Sequence, residues 1–549
     1  MNNLKKKTKT IILTVIAALL LIFLYYYIAL PAINIHSPGL WGFLIFVAAV
    51  ITFLIGIRTA NRLHTDSSGD GIHFSFHGPI FKNKKFKISF LVTLALVLVY
   101  IIGSILSSQI VNASKYQKLI SVEQRNFTED IKEISYNEIP LLDSDSAALV
   151  GSRKMGSMVE YVSQFEVSKN YTQINYQETP YRIAPLEYGN IFKWLGNRKN
   201  GIPAYMRIDM ATQTAECVKL TEGIKYSESE PLNRNIYRYL RFHFPTYIFD
   251  TINFEIDENG TPYWICPVKD YTIGLFGGVK IKNVVMVNAV TGEIENYNVE
   301  DVPTWVDRVY SAELLISYYD YYGSLKHGYF NTLFSMKDCL KTTAGYNYIA
   351  LNDDVWVYTG VTSVGGDQSN VGFVLMNSRT AETRYYEIPG AEEFSAMNSA
   401  QGQVQNLGYV ATFPLLLNIS DEPTYFISLK DEAGLVKKYA MVNISKYSIV
   451  AIGDSVIECE KSYIQLLKNN NIQISEDSVT SKTASGVIAK IAPAVIEGNS
   501  HYYLMLEGSD EIFDVVVASN LEIIRFSEGD YINLTYNPGE KSNTVLTVK

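Results

Sequence analysis

Histidine and cysteine are the side chains best suited to bind a metal or attack a substrate, and this chain of 549 residues has seven of the first and four of the second. His36, His64, His73 and His77 lie before residue 110, while His243, His327 and His501 lie beyond it. His243 stands in Arg241-Phe242-His243-Phe244-Pro245 and His327 in Lys326-His327-Gly328-Tyr329, each without a neighbour at metal-ligand spacing. His73 and His77 are four apart, which on a helix would aim two imidazoles at one ion. The segment Ile72-His73-Phe74-Ser75-Phe76-His77 instead alternates like a strand between Gly71 and Gly78-Pro79, so a hairpin loop is expected. Asp143-Ser144-Asp145-Ser146 opens like a calcium loop but lacks the glycine at the sixth position, and Arg153 and Lys154 follow; it reads as a turn or a helix cap. Gly365-Gly366-Asp367-Gln368-Ser369-Asn370 has the polarity of a phosphate cradle. Such cradles open a helix, whereas this loop runs into the apolar stretch Val371 to Met376 and should join two strands.

Cys217, Cys266, Cys339 and Cys459 are far apart with no CxxC, which argues against structural zinc. Two disulfides in an oxidising compartment, or four small buried apolar side chains, both fit that spacing. No GxSxG, HExxH or Walker loop is present. The expectation is a chain with no metal, no cofactor and no catalytic centre. The remaining chemistry is aromatic: Tyr318, Tyr319, Tyr321, Tyr322 and Tyr329 gather with Phe330 on one helix-like stretch. If exposed they form a candidate partner-binding surface, since aromatics anchor interfaces. If buried they pack one structural unit against the next.

The elements that must position these residues repeat. Thr179-Pro180-Tyr181-Arg182-Ile183-Ala184-Pro185 matches Thr261-Pro262-Tyr263-Trp264-Ile265-Cys266-Pro267, with echoes at Glu422-Pro423-Thr424-Tyr425-Phe426-Ile427 and Asp353-Asp354-Val355-Trp356-Val357-Tyr358. Downstream, Met286-Val287-Asn288 continues to Thr291 and Glu293, and Leu375-Met376-Asn377 continues to Thr380 and Glu382 at the same offsets. Met441-Val442-Asn443 and Arg207-Ile208-Asp209 with Thr212 are looser members. Alternating apolar residues entering a turn at Asn or Asp read as a hairpin, because the short polar side chain bonds its own backbone. Helix-like stretches precede each set at about Ser152–Gln164, Leu232–Phe242, Asp301–Leu333 and Ala391–Asn406, and Ser455–Asn469 closes the array. The unit is a helix and about four antiparallel strands, and four units in series would make an elongated or curved ectodomain. In Lys269-Asp270 to Gly274-Leu275 and Lys430-Asp431 to Gly434-Leu435 even the loops recur.

Helix plus antiparallel strands, with a hairpin reading Val287-Asn288-Ala289-Val290-Thr291-Gly292-Glu293-Ile294, resembles PepSY-type modules over roughly residues 150–470. The resemblance implies an extracytoplasmic regulatory or inhibitory segment and brings no catalytic residues with it. After residue 475 the pattern changes. Val487 to Ile491, Tyr502 to Leu506, Ile512 to Val517 and Tyr531 to Tyr536 are short strand-like runs, and with Gly529-Asp530 before the last they look like an OB-type barrel. That fold often binds nucleic acid, but the tail has no basic groove for it, so no nucleic-acid partner is expected.

The N-terminal part sets the compartment. Ile11–Ala29, Leu40–Ile57 and Ile88–Ile110 are apolar runs close to the roughly 20 residues that cross a bilayer. A signal peptide would have a shorter apolar core and no further spans behind it. Lys5, Lys6, Lys7 and Lys9 precede the first run, Arg58, Arg62, Lys82, Lys84, Lys85 and Lys87 lie between the second and third, and Pro31–Pro38 has no basic residue. The positive-inside rule then predicts a multi-pass cell-membrane protein with a cytoplasmic N-terminus and everything after Ile110 outside. The expected fold is α+β, organised as a membrane anchor with three transmembrane helices (1–110), tandem helix-plus-antiparallel-sheet repeats (111–474) and a small β-barrel (475–549). A non-enzymatic binding, scaffold or regulatory protein of a bacterial cell envelope is the leading expectation, with the bilayer and envelope proteins or surface polymers as partners. An accessory subunit of a secretion or transport complex, and an envelope hydrolase with an unrecognised site, are the alternatives.

Overall fold

Long uncharged runs make the opening helices, which in the computed structural model are α1 (Asn2–Ala29), α2 (Pro38–Thr59) and α3 (Lys84–Leu106). The structure describes residues 2–59, 83–132, 139–365, 369–472, 482–496, 499–517, 520–537 and 542–549. Among these, two helices are long and apolar enough to cross a membrane, Pro38–Ile57 and Lys84–Leu106, each with mean hydropathy 2.6 and almost no part buried in the protein. Two of the three expected spans are thus present by length and composition. In α1 a shorter apolar stretch, Val15–Ala29, is found among the described residues. Thr52 Oγ1 lies 2.7 Å from Ser89 Oγ and 3.1 Å from Thr93 Oγ1, a hydroxyl cluster tying α2 to α3 in an otherwise apolar contact.

The chain then makes α4 (Gln109–Gln117), β1 (Glu123–Arg125) and α5 (Phe127–Asp130) before four sheets of one wiring. The first unit is α6 (Ser144–Gly156), β2 (Phe165–Val167), β3 (Thr172–Tyr176), β4 (Thr179–Tyr188), α7 (Ile191–Asn197), β5 (Ile202–Asp209) and β6 (Ala215–Ile224). The second is α8 (Ile236–His243), β7 (Ile248–Phe249), β8 (Asn253–Ile256), β9 (Pro262–Ile273), β10 (Gly277–Asn288) and β11 (Ile294–Asn298). The third is α9 (Ala312–Ser324), α10 (Tyr329–Phe334), β12 (Leu340–Thr342), β13 (Asn347–Leu351), β14 (Asp354–Ser363), β15 (Ser369–Asn370), β16 (Gly372–Asn377) and β17 (Thr383–Tyr386). The fourth is β18 (Gly390–Ala391, paired with β15), α11 (Glu393–Gln403), β19 (Val410–Ala411), β20 (Leu415–Ile419), β21 (Glu422–Lys430), β22 (Val436–Asn443) and β23 (Val450–Gly453), closed by α12 (Val456–Asn469).

In every unit a long strand pairs through its first half with the strand before it and through its second half with an earlier short one. Two further antiparallel strands lie on its other side, giving the orders β2-β4-β5-β6, β7-β9-β10-β11, β12-β14-β16-β17 and β19-β21-β22-β23. Each main sheet thus has five strands where about four were expected, and β1 adds a parallel edge to the third.

Alternate residues of one strand enter different cores, as the period of two requires. In the second sheet Cys266, Val285 and Val287 face the first unit, whereas Ile265, Val284 and Met286 face the third. In the third sheet Val357, Val374 and Met376 join that second–third core, and Trp356, Tyr358, Phe373 and Leu375 face the fourth unit. The inner sheets are therefore covered on both faces. The array also closes on itself rather than extending. Lys430 Nζ meets Asp143 Oδ2 at 2.5 Å, Ser146 Oγ donates to Gly434 O at 3.1 Å, and Gln213 Nε2 donates to Tyr439 Oη at 2.8 Å, all joining the first unit to the fourth. Asp143, part of the calcium-like motif, is the N-cap of α6 and accepts from Ser146 N.

The C-terminal strands β24 (Lys482–Ile496), β25 (Asn499–Leu506), β26 (Ile512–Val516), β27 (Tyr531–Asn537) and β28 (Asn543–Val548) form a closed five-stranded barrel around its own apolar core of Leu504, Phe513, Val515, Ile532 and Leu534. All four cysteines are free and buried, so they fill apolar space and form no disulfide.

Candidate functional site

Turn chemistry brings three units to one cavity. The hairpins β3–β4 and β13–β14 turn through Gln177-Glu178 and Asn352-Asp353, with φ of 52° and 60° and of 52° and 63°. Both central residues left-handed is the two-residue turn whose twist matches paired strands. The equivalent turn of the second unit is longer, and Asp257 Oδ1 holds it by accepting from Asn259 N and Thr261 N at 2.9 and 2.8 Å. Glu178, Glu258 and Asp353 from these three turns, with Asn175, Tyr176, Thr304 and Trp305, line a cavity of about 360 Å³. Asn175 Nδ2 donates to Asp353 Oδ1 at 3.1 Å and Tyr176 Oη to the Glu258 carbonyl at 3.3 Å, so the turns are bonded across units.

Beneath the cavity runs the segment that carries the chain from the second unit into α9. Glu255 and Asp307 are buried there. Glu255 accepts from the backbone N–H of Asp307 and of Arg308, both at 2.9 Å, and Asp307 Oδ2 accepts from Asn175 N at 2.7 Å. Burial pushes the Asp307 carboxyl well above the usual range, and the charge of Glu255 adds to it. Burial raises Glu255 as well, opposed by its two N–H donors and by Arg308. Burial thus favours a proton on Asp307, while the two N–H donors favour Glu255 as the member that carries any charge. Arg308 lies near enough to oppose the rise at Glu255 and donates to Tyr348 Oη at 2.5 Å. Arg182, also buried, is held at about 10 by loss of solvation. On the third unit Asp354 is gripped by Arg379 Nε and Nη2 at 2.7 and 2.9 Å and by Asn377 Nδ2 at 2.8 Å.

This arrangement divides chemically. Both Glu255 oxygens are committed to the backbone, so Glu255 organises the junction. The rim above offers exposed carboxylates, amide groups and the faces of Trp305 and Tyr176, a lining suited to a donor-rich or cationic ligand that stacks on an aromatic ring. A second concavity of about 780 Å³ lies between the barrel and α12, lined by Lys461, Arg525 and Lys549 with Glu522 and Asp530. Its three cations face two carboxylates, and it draws on the barrel and α12 alone.

The expected aromatic surface is mostly interior. Tyr318 and Tyr319 are 3% and 1% exposed in the core between the second and third sheets, and Tyr318 Oη donates to Val279 O at 2.7 Å. Tyr321 stands edge-on to Tyr116, Tyr322 packs partly buried at the edge of the same core, and Tyr329 is partly buried near Tyr116. They join units, with Phe330 left outside. Among the described residues His327 lies 3.1 Å from Asp338, and His501 lies 2.8 Å from Asp514 and beside the Tyr503 ring. His64, His73, His77 and the centre of the Gly365–Asn370 loop lie outside the described residues. No group of three or more metal-binding side chains occurs among the described residues. Glu255 and Asp307 were not singled out from the sequence, where each is an ordinary acidic residue near a strand.

A second constellation joins the array to the membrane helices. The tip of the β9–β10 hairpin, Gly274-Leu275-Phe276-Gly277, seats on the end of α3. Ser107 Oγ accepts from Leu275 N and Phe276 N at 2.8 and 3.1 Å, and His36 Nδ1 lies 2.9 Å from Leu275 O. Gly103 lets the tip sit close, since a Cβ there would stand 2.7 Å from Leu275 Cδ1 and 3.3 Å from Phe276 Cε2. On the other side Arg241, buried, donates to the carbonyls of Leu30, Phe244 and Tyr247, and Arg238 lies 4.7 Å over the Tyr27 ring. No protein-family model matches this chain, and a search of the curated proteins finds no match.

Proposed function

We propose that this chain is a membrane-anchored extracytoplasmic binding, scaffold or regulatory protein of the cell envelope, with its array acting as a rigid receptor beside the bilayer. The observation that carries the reading is the seating of the second unit on α3 through Ser107, Leu275 and Phe276. A fixed pose of this kind would let occupancy of the array be transmitted to the membrane helices. Helix α1, with lysines before it and Tyr25, Tyr26 and Tyr27 at its far end, completes three crossings in this reading. The lysine distribution supports a cytoplasmic N-terminus with the array and barrel outside. The common wiring of the four sheets supports descent from a duplicated PepSY-like unit, and the closed barrel fits an OB-like cap.

The cavity at the three hairpin turns is the proposed binding site for a peptide or surface polymer carrying amines or hydroxyls. Titrating the detergent-solubilised full chain with wall-polymer fragments and cationic peptides tests this by calorimetry. Trp305→Ala should weaken binding about tenfold, the loss of one aromatic anchor worth ~1.4 kcal/mol. Binding indifferent to Trp305 and Asp353 would remove the site. The raised carboxyl groups favour one rival, a hydrolase. Turnover of such a fragment, abolished by Asp353→Asn or Asp307→Asn, would establish it in place of the receptor.

A further inference from the structure

The short helix α10 has two faces. Tyr329 and Thr332 turn inward: Tyr329 packs beside Ala113 and Tyr116 of α4, and Thr332 Oγ1 donates to Ser324 O at 2.7 Å. Phe330, Leu333 and Phe334, at the spacing that puts three side chains on one side of a helix, are 63%, 50% and 80% exposed, and Met336 follows at 44%. Large aromatic and aliphatic groups presented together to water mark an interaction surface.

The position of the helix names the occupant. Tyr116 Oη donates to Ser107 O at 2.7 Å, so the side chain beside Tyr329 reaches back to the last turn of α3. One tyrosine side chain therefore links the surroundings of α10 to the end of a membrane-length helix. The corner between is apolar and exposed too, through Leu106, Ile110 and Val111. Exposed apolar side chains thus stand on both α10 and the end of α3, on either side of the Tyr116 contact. Around it stand the exposed cations Lys115, Lys118, Lys326 and Lys337, while the nearby Asp338 is engaged by His327. Apolar side chains ringed by lysines match the boundary between acyl chains and anionic headgroups.

We infer that the apolar face of α10 enters the outer leaflet of the bilayer, giving the array a second foothold beside the hairpin seat. This rests on the membrane reading above, and the test separates the two. Single cysteines at Phe334, at Leu98 in α3 and at Val495 on the barrel are labelled with an environment-sensitive nitrobenzoxadiazole dye, in a background whose native cysteines are buried. The full chain is reconstituted in vesicles of phosphatidylcholine and phosphatidylglycerol carrying nitroxides at shallow or deep positions. The expected result is blue-shifted emission at Phe334 lost chiefly to the shallow nitroxide, loss at Leu98 to the deep one, and no loss at Val495. Quenching at Leu98 without quenching at Phe334 overturns the foothold and leaves the membrane reading standing. No quenching at Leu98 overturns both. A blue shift at Phe334 that neither nitroxide quenches assigns the patch to a protein contact, and equal quenching at Val495 shows non-specific adhesion; each rejects the inference.

Discussion

At the scale of single residues, the carboxyl pair under the cavity has a consequence for stability. Asp307 binds a proton in the folded chain that the unfolded chain releases near pH 4. Its folded pKa is raised, so it costs nothing below the unfolded value, and stability is lost as pH climbs from there towards the folded value. Asp307→Asn keeps the acceptor for Asn175 N and cannot ionise. Relative to the parent, the variant should gain up to ~1.4 kcal/mol for each pH unit above about 4 until the folded pKa is passed. Urea unfolding of the full chain at pH 5, 6, 7 and 8 checks this, and a constant difference between the two proteins would place Asp307 in the ordinary carboxylate range. This pair was illegible in the sequence because its perturbation comes from burial among three units. The cysteines show the reverse: their isolation in the sequence already disfavoured zinc, and burial decided between the two remaining readings.

Local elements were far more legible. Asn288 Oδ1 accepts from Val290 N and Thr291 N, both at 3.0 Å, and Asn377 Oδ1 accepts from Arg379 N and Thr380 N at 2.8 and 2.9 Å. Thr291 and Thr380 then each accept from the glutamate N–H two residues on. The repeated offsets were readable because every bond lies within six residues. Context separates the two turns: Asn377 is buried and also donates to Asp354, whereas Asn288 is partly exposed. Asn377→Ala should therefore cost ~2–3 kcal/mol and Asn288→Ala ~1 kcal/mol, since water can replace the second set of partners but not the first. Denaturation midpoints of the two variants make the comparison, and equal losses would show that the turn bonds alone set the cost. Helix α6 was placed about eight residues late. Its true signals are Asp143 at the N-cap and Arg153 and Lys154 in the last turn, the residues weighed as a calcium loop.

At the scale of the whole molecule, long-range packing decided what periodicity could not. Tyr318 and Tyr319 sit on a helix between two sheets, and their burial depends on a neighbour whose strands lie elsewhere in the chain. The same sharing of cores governs how the molecule unfolds. Each inner sheet contributes alternate residues to two cores, and the fourth unit is bonded to the first, so no unit can melt without exposing its neighbours. The barrel keeps a core of its own and meets α12 through the bond of Lys461 Nζ to Leu546 O. Two cooperative transitions are expected, one for the four-unit array and one for the barrel. Leu534→Ala, removing a buried barrel side chain, should cost ~2–5 kcal/mol and lower the barrel transition by about 10 °C or more, as befits so small a domain. Ile265→Ala, at the core between the second and third units, should cost a similar energy but lower the larger array transition by only a few degrees for each kcal/mol lost. Calorimetry with tyrosine fluorescence and hydrogen exchange in the fourth unit reads the coupling. If Ile265→Ala releases the second unit while exchange in β21 and β22 stays slow, the shared cores do not bind the units into one cooperative body, and a receptor that transmits occupancy through them loses its physical basis.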